Sequence, residues 1–301
     1  MTGGAAASRT VRLLEPRDFP FAVALTDTER WGFTAADFAR CLAIAPDGCF
    51  LVEEGGERAG ILTTAPYGEV AWVGNIIVAP ARRGRGLGAA VIQHALDYLD
   101  ARGARAVRLW AYEGTANLYT KFGFARDGPT SRRWIGFGHA EHEMPPAVVP
   151  PGCHAFPVNA LTVRDLLPFD RARFGSDRSA VLSLVAAEAP HAGFVARDGR
   201  GDVVGFLLTT PSPKGCEVGP WLVDPAHIEW AAPLLLERAL GILAGQSVEL
   251  GVYDARTDVQ QLLDAHGFHP GFQTARMTRG DPAAGRDAIE SVCAIGSLER
   301  G

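Results

Sequence analysis

The sequence predicts an α+β protein in which one fold is used twice. Each copy is a mixed, mostly antiparallel sheet with one central parallel strand–helix–strand unit, flanked by helices. Three observations predict this. The chain has 301 residues, room for two domains of ~100–200 residues. It repeats itself: FLVEEGGERAGILTTAP, VGNIIVAP, AVIQHALDYL and LYTKFGF return in order as FVARDGRGDVVGFLLTTP, VGPWLVDP, PLLLERALGIL and LLDAHGF. The offset holds at 145 from Gly60/Gly205 to Pro80/Pro225 and is 144 at Gly123/Gly267, far longer than a solenoid repeat of ~20–50 residues. Within each copy, period-2 runs precede a helical stripe.

The elements of the first copy follow in order. Residues 10–14 (TVRLL) read as a strand. Residues 18–26 and 34–45 read as helices, the second capped by Thr34. The β-rich runs 49–54, 58–66 and 69–80 are joined by the short turns Gly55-Gly56-Glu57 and Tyr67-Gly68, which predicts an antiparallel meander. Over 86–101 the apolar residues Leu87, Val91, Ala95 and Leu99 form a helical stripe. The strand 106–112 must then run parallel to the strand before that helix, because the helix crosses between them. A short helix over 115–122 and a last strand over 132–137 complete the copy. The second copy reads the same way: helices over 163–171 and 178–189, strands over 193–197, 203–210 and 216–223, a helix over 227–244, a strand over 248–253, a helix over 257–266 and a strand over 271–279. Residues 285–299 read as one more helix. Residues 1–9 read as a disordered tail, 10–142 as the N-terminal domain, 143–158 as a linker inside the Pro-rich stretch Ala140–Asn159, and 159–301 as the C-terminal domain.

Composition narrows the function. The chain is 47% hydrophobic and 21% charged with net charge −5, ordinary for a globular protein and unsuited to generic nucleic-acid binding. No apolar run is long enough to cross a membrane, and MTGGAAASRT carries no signal-peptide core, so a cytoplasmic location is expected. The cysteines Cys41, Cys49, Cys153, Cys216 and Cys293 form no CxxC pair and read as reduced thiols. His139, His142 and His154 lack metal-ligand spacing, and no metal is expected. The whole acidic excess lies after Glu143.

The most informative residues are Arg82-Arg83-Gly84-Arg85-Gly86-Leu87-Gly88-Ala89, between a strand and an amphipathic helix. Glycines let backbone N–H groups turn inward, and a helix N-terminus adds positive potential. Arginines supply charge for a polyanion. The expectation is a pyrophosphate cradle. A P-loop is excluded because no Lys follows the glycines. Gly84-x-Gly86-x-x-Ala89 also fits a dinucleotide fingerprint, with Glu113 somewhat beyond its acidic position. Against it, this loop follows an antiparallel meander, and five residues intervene after the strand.

Arg83-x-x-Gly86-x-Gly88 resembles motif A of the GNAT N-acetyltransferase superfamily, and Leu118-Tyr119-x-x-x-Gly123-Phe124 resembles that family's LYxxxGF signature. The order of elements over 10–138 is also the family's, so the chain resembles a tandem GNAT protein with a degenerate second domain. The resemblance implies acetyl-CoA as acyl-donor cosubstrate. Its pantetheine would lie along Ile76, Ile77 and Val78, and its pyrophosphate on Arg83, Gly84, Arg85, Gly86, Leu87, Gly88 and Ala89. Asn117 is a further candidate contact, although the family's usual Asn position holds Tyr112. Tyr119 matches the general acid that protonates the departing thiolate; a tyrosine is protonated at neutral pH. The family's base on the strand before the loop falls near Trp72, which is no carboxylate. Glu69, Asp27 and Glu29 are candidates instead, and Trp31, Phe33 and Trp72 are candidate acceptor-pocket residues.

In the second copy the loop becomes Asp224-Pro225-Ala226-His227-Ile228-Glu229-Trp230-Ala231-Ala232. It holds no glycine and places Glu229 where Gly84 aligns, so this copy is not expected to bind CoA. The function implied is acetyl transfer to a small amine-bearing substrate or a protein amine, by a monomer or homodimer. Two other readings remain: a non-catalytic acyl-CoA-binding regulator and a dinucleotide-binding oxidoreductase.

Overall fold

The computed structural model describes residues 8–140 and 146–301. Most of the tail read over 1–9, and His142 and Pro145 of the linker region, lie outside the described residues. The first unit runs β1 (Arg9–Leu13), α1 (Phe19–Asp27), α2 (Ala35–Ile44), β2 (Cys49–Glu54), β3 (Glu57–Tyr67), β4 (Val70–Val78), α3 (Leu87–Ala101), β5 (Ala106–Tyr112), α4 (Ala116–Thr120) and β6 (Ala125–Phe137). The second runs β7 (His154–Pro157), α5 (Leu167–Phe174), α6 (Ser179–Glu188), β8 (Phe194–Arg197), β9 (Val203–Ser212), β10 (Gly215–Val223), α7 (Ile228–Ile242), β11 (Ser247–Tyr253), α8 (Thr257–Ala265), β12 (His269–Gly280) and β13 (Val292–Ala294).

Local sequence accounts for most of these elements. Thr34 caps α2 in a capping box with Asp37, whose Oδ2 accepts from the Thr34 backbone N–H at 2.7 Å. The expected stripe of α3 is buried, with Ile92 and Leu96 beside it. β2, β3 and β4 form the antiparallel meander, and β5 runs parallel to β4. Three readings need correction. β6 begins at Ala125, seven residues earlier than the sequence suggested, because antiparallel partners on both sides hold the Gly- and Pro-bearing stretch extended. β7 lies inside the stretch read as linker and pairs with β8. Residues 285–299 are not a helix: a short 3-10 turn at Ile289–Ser291 leads into β13.

The two units exchange one strand each. The strand order is β1-β2-β3-β4-β5-β12-β6-β11-β10-β9-β8-β7. β6 leaves its own unit and pairs with β11 from Ser131↔Tyr253 to Phe137↔Ser247. β12 takes the vacated place beside β5, from Ala106↔Gly280 to Tyr112↔Thr274. The exchanged strands lie side by side at the centre of one continuous sheet.

Packing follows the same plan. α3 covers one face of the first unit through Leu87, Val91, Leu96 and Leu99, while α1 and α2 cover the other through Leu25 and Phe38. α7 packs the second unit. A further cluster joins Tyr67, Trp72 and Trp110 of the first unit to Phe174, Phe206, Tyr253 and Ile295 of the second. Fully burying such a side chain contributes ~1.5–3 kcal/mol. Beneath it, Arg178 and Asp170 form a buried ion pair at 2.7 Å. A fragment of residues 1–142 would leave β5 an open edge and expose this shared face. It is expected to aggregate or to lose the cooperative thermal transition of the full chain, as read by calorimetry and light scattering.

Candidate active site

β4 and β5 are neighbours for only three residue pairs, Val70–Trp72 with Ala106–Arg108, and then diverge. The cause lies in β4. Thr63 faces Gly74 and Ile61 faces Ile77, so β4 carries one residue more than β3 between those pairs. This is a β-bulge, and such bulges bend the strand that carries them. Asn75 sits in it with φ +51°, and its buried Nδ2 donates to Thr63 Oγ1 at 3.0 Å. Between the diverging strands opens a cleft of about 1160 Å³. A single small-molecule site usually measures ~300–1,000 Å³, so this cleft lies just above that range.

One end of the cleft is the glycine loop. Gly84 and Gly86 have φ +77° and +79°, a conformation that side-chain-bearing residues rarely adopt. Gly86 caps α3, so the first N–H groups of that helix are free to meet an anion. Ile76, Ile77, Val78, Arg83, Gly84, Gly86, Leu87, Gly88 and Ala89 line the cleft, and so does Tyr119. These residues are brought together along one cleft. Arg85 and Asn117 are not among the lining residues. Arg85 turns aside to Glu54 at 3.1 Å, and Asn117 is exposed on α4. The loop is less bare a cation than its sequence implied: Arg82 is paired with Glu54 and Glu57, and Arg83 with Glu29.

Tyr119 packs edge-on against Phe124 with ring centroids 6.2 Å apart. Burial, with Tyr112 nearby, pushes its phenol up to about 12. It therefore holds its proton throughout the neutral range.

The other end belongs to both units. Trp31 stacks on Tyr112, and Tyr112 meets Phe272 of β12. Arg133 of β6 reaches Glu217 of β10 at 2.6 Å and Glu249 of β11 at 3.2 Å. Burial pushes the Glu217 carboxyl up against the pull of Arg133. Burial also works against the Arg133 charge, but the two carboxylates keep its pKa raised. The hairpin between β9 and β10 closes over the opening, where Lys214 Nζ donates to Arg30 O at 2.5 Å. Leu298, Glu299 and Arg300, from the segment after β13, line the floor.

Of the candidates for this end, Trp31, Phe33 and Glu29 line the cleft and three others do not. Trp72 stacks on Trp110 and belongs to the core between the units, where Gly301 packs against its ring and covers it. Glu69 is exposed where β4 begins, paired with Arg105 at 3.2 Å and far along the strand from the bulge. Asp27 ends α1 outside the cleft. Sequence reading missed Thr210, Glu217, Glu249 and Glu299 because only the strand exchange and the path after β13 carry them to the first unit. Tyr112 alone had left a signal, by standing at the position where an Asn was expected.

The second unit keeps the bulge but fills the gap beside it. Thr209 faces Val218 and Leu207 faces Trp221, again with one extra residue, and β10 pairs with β11 for only two residues. Here the gap is filled. β13 enters it antiparallel to β10, with Ala294 on Trp221 and Val292 on Leu222. Those two residues are the repeat counterparts of Ile76 and Ile77. Ile295 N then donates to Gly251 O of β11 at 3.0 Å. At the loop, the Asp224 carboxylate accepts from Ala226 N at 3.0 Å, and Glu229 occupies the first turn of α7.

Comparison with known proteins agrees with this architecture. Residues 11–124 match the model of the acetyltransferase (GNAT) family, and residues 166–289 match a second model, of an acetyltransferase (GNAT) domain. The chain belongs to the GNAT acetyltransferase family, as two such domains in tandem, and is an acyltransferase. Over 276 residues, 91% of this chain and 88% of the other, it is 27% identical to holothin acyltransferase of Pseudoalteromonas sp. (strain SANK 73390). Among solved structures, a Pyrococcus horikoshii protein superposes with TM-score 0.77 at 21% identity, over 97% of this chain and 96% of that one. A tandem GNAT protein from the clavulanic acid biosynthesis pathway superposes with TM-score 0.66 at 18% identity, over 91% and 98%. The dinucleotide-binding reading falls with these findings. No helix among the described residues is long and apolar enough to cross a membrane.

The placement of the carboxylates separates two variants. Glu69→Gln is expected to leave acyl transfer within about twofold, as surface changes usually do. Trp31→Ala removes the Tyr112 stack and is expected to lower transfer about tenfold. A free-thiol release assay on both proteins checks this.

Proposed function

We propose that the first unit binds acetyl-CoA between β4 and β5 and transfers its acetyl group to the primary amine of a small molecule held at the other end of the cleft. The observation that carries the reading is the single cleft in which a glycine-loop helix start, a diverging strand pair, a protonated tyrosine and a second, aromatic and charged compartment adjoin. When bound, acetyl-CoA supplies an activated acyl carbon. The chain's own residues do the rest. Loop N–H groups from Gly84 to Ala89 hold the pyrophosphate, and Ile76 to Val78 offer backbone to the pantetheine. N–H groups of the β4 bulge are held in place to meet the acyl oxygen, a preorganised dipole of the kind that stabilises an oxyanion. Two ligands in one cleft react directly, and their proximity and orientation contribute a large part of the rate. Tyr119 gives its proton to the departing sulfur.

A small acceptor is favoured over a protein amine because the β9–β10 hairpin and the Leu298–Arg300 segment wall the second compartment. The match to holothin acyltransferase along most of the chain supports acyl transfer. The second unit, with Asp224 and Glu229 at its loop and β13 in its gap, acts as a partner wall and holds no cofactor.

Three outcomes test this. Calorimetry is expected to find one acetyl-CoA site per chain, and Gly86→Glu to abolish it, since that residue needs φ +79° and faces phosphate. Tyr119→Phe is expected to lower kcat by ~10²–10⁴, with acetyl-CoA affinity within about twofold. Because the Tyr119 pKa is raised, the acid is fully present at neutral pH and is lost only as pH climbs towards about 12. Turnover is therefore expected to show no descending alkaline limb up to about pH 10, and pH–rate profiles read it directly.

A further inference from the structure

An ammonium cannot attack a thioester until it gives up a proton, and β4 carries no carboxylate from Val70 to Val78. The segment that follows β13 brings one. It leaves the second unit's filled gap, crosses under the first unit's sheet and folds on itself, with Gly301 N donating to Ser297 O at 2.9 Å and Gly296 N to Gly301 O at 3.2 Å. Tyr67 Oη donates to Arg300 O at 3.0 Å, and Arg178 Nη1 to Gly301 O at 3.2 Å. These bonds fix the segment against the underside of β3 and β4. Glu299 comes to lie directly on Gly74, the residue before the bulge, so closely that a Cβ at Gly74 would overlap the Cα and Cβ of Glu299. Its side chain lines the cleft and is 12% exposed. Arg300 Nε donates to Glu299 Oε1 at 2.9 Å, which orients the carboxylate.

A second, independent feature points to a ligand at the same place. Thr210 lines the cleft, is 4% exposed, and its Oγ1 has no hydrogen-bond partner among the described residues. It stands opposite Glu217 in the β9–β10 register. A buried hydroxyl left without a partner costs free energy unless something else meets it.

We propose that Glu299 is the group that takes the proton from the acceptor's ammonium, with Thr210 Oγ1 offering the acceptor a hydrogen bond, so that the second unit supplies the base for a reaction run on the first. The assignment rests on the acetyltransferase reading above. The first ammonium proton passes to the Glu299 carboxylate and then to solvent. The freed lone pair forms the N–C bond, and the C–S bond breaks. The proton that nitrogen then sheds balances the one Tyr119 gives to sulfur. The other titratable or charged groups facing Glu299 are Cys41 of α2, Tyr67 of β3, Tyr112 of β5, Glu217 of β10 and its neighbour Arg300. Burial keeps Cys41, Tyr67 and Tyr112 in their protonated forms at neutral pH. Glu217 is held by Arg133. Glu299 is the carboxylate that sits against β4 itself.

The test compares two kinds of amine: an alkyl amine that is an ammonium at neutral pH and an aryl amine that is not. Tryptamine and 5-aminoindole are the starting pair, replaced by the best alkyl and aryl members of an amine library if these are poor. For Glu299→Gln, kcat/KM for the alkyl amine is expected to fall about 100-fold at pH 7, within the ~10²–10⁴ of general-base catalysis. It should recover as pH rises towards 10. The aryl amine should change by less than about threefold, and acetyl-CoA binding by calorimetry should be unmoved. Glu299→Asp should restore most of the loss. A variant that follows the wild type on the alkyl amine at every pH overturns the assignment. So does one that loses both amines equally, which would mark a structural role. Gly74→Ala provides the second route: it keeps the carboxylate, displaces the segment, and should reproduce the same split between amines. A wild-type protein that acylates no amine overturns the acetyltransferase reading itself.

Discussion

The exchange of β6 and β12 is the constraint on which the rest of this structure depends. Each unit lends one strand to the other, so neither sheet closes without its partner. A conventional domain interface of apolar surfaces could slide or open. Here the contact is two strand ladders with fixed register, and the core beneath, from Trp72 and Trp110 to Phe206 and Tyr253, is continuous across the units. The end of the cleft that both units line inherits that rigidity. Arg133 rides on the exchanged β6, Phe272 on the exchanged β12, and Glu217 and Glu249 on strands locked beside them.

The two units then show what one fold does with the same defect. Both carry a bulge that parts the central parallel strands. In the first unit the gap stays open and a loop with glycines at φ +77° and +79° adjoins it. In the second, β13 supplies the hydrogen bonds and apolar contacts that the open gap lacks, and a carboxylate takes up a loop N–H. Filling the gap with a strand also removes unpaired backbone from the interior.

Much of the fold was legible in the sequence. The repeat gave two copies, and the meander, the α3 stripe and the parallel β5 follow from local patterns that the structure keeps. That Arg83, Gly84, Gly86, Leu87, Gly88 and Ala89 lie along one cleft was legible because they are nearly contiguous in the chain. What was not legible is long-range. Nothing in RRWIGF says that its partner is β11 rather than β5, since a strand's alternation fixes which face is buried and not which neighbour it pairs with. Residues 285–299 read as a helix because their apolar spacing is ambiguous over so short a run; the gap in the second unit decides for a strand. Trp72 was misplaced for a related reason: Gly301, which covers its ring, is more than two hundred residues away along the chain.

The filled gap bears also on what descendants of this chain can become. A duplicated domain that has merely lost its glycines could regain them by a few substitutions. This one would also have to expel β13, and doing so would pull Glu299 and Arg300 away from Gly74 and Tyr67 in the other copy. Recovery of the second site is thus tied to damage at the first. The arrangement works as a latch: the strand that fills one copy's gap continues into the segment that lines the other copy's cleft.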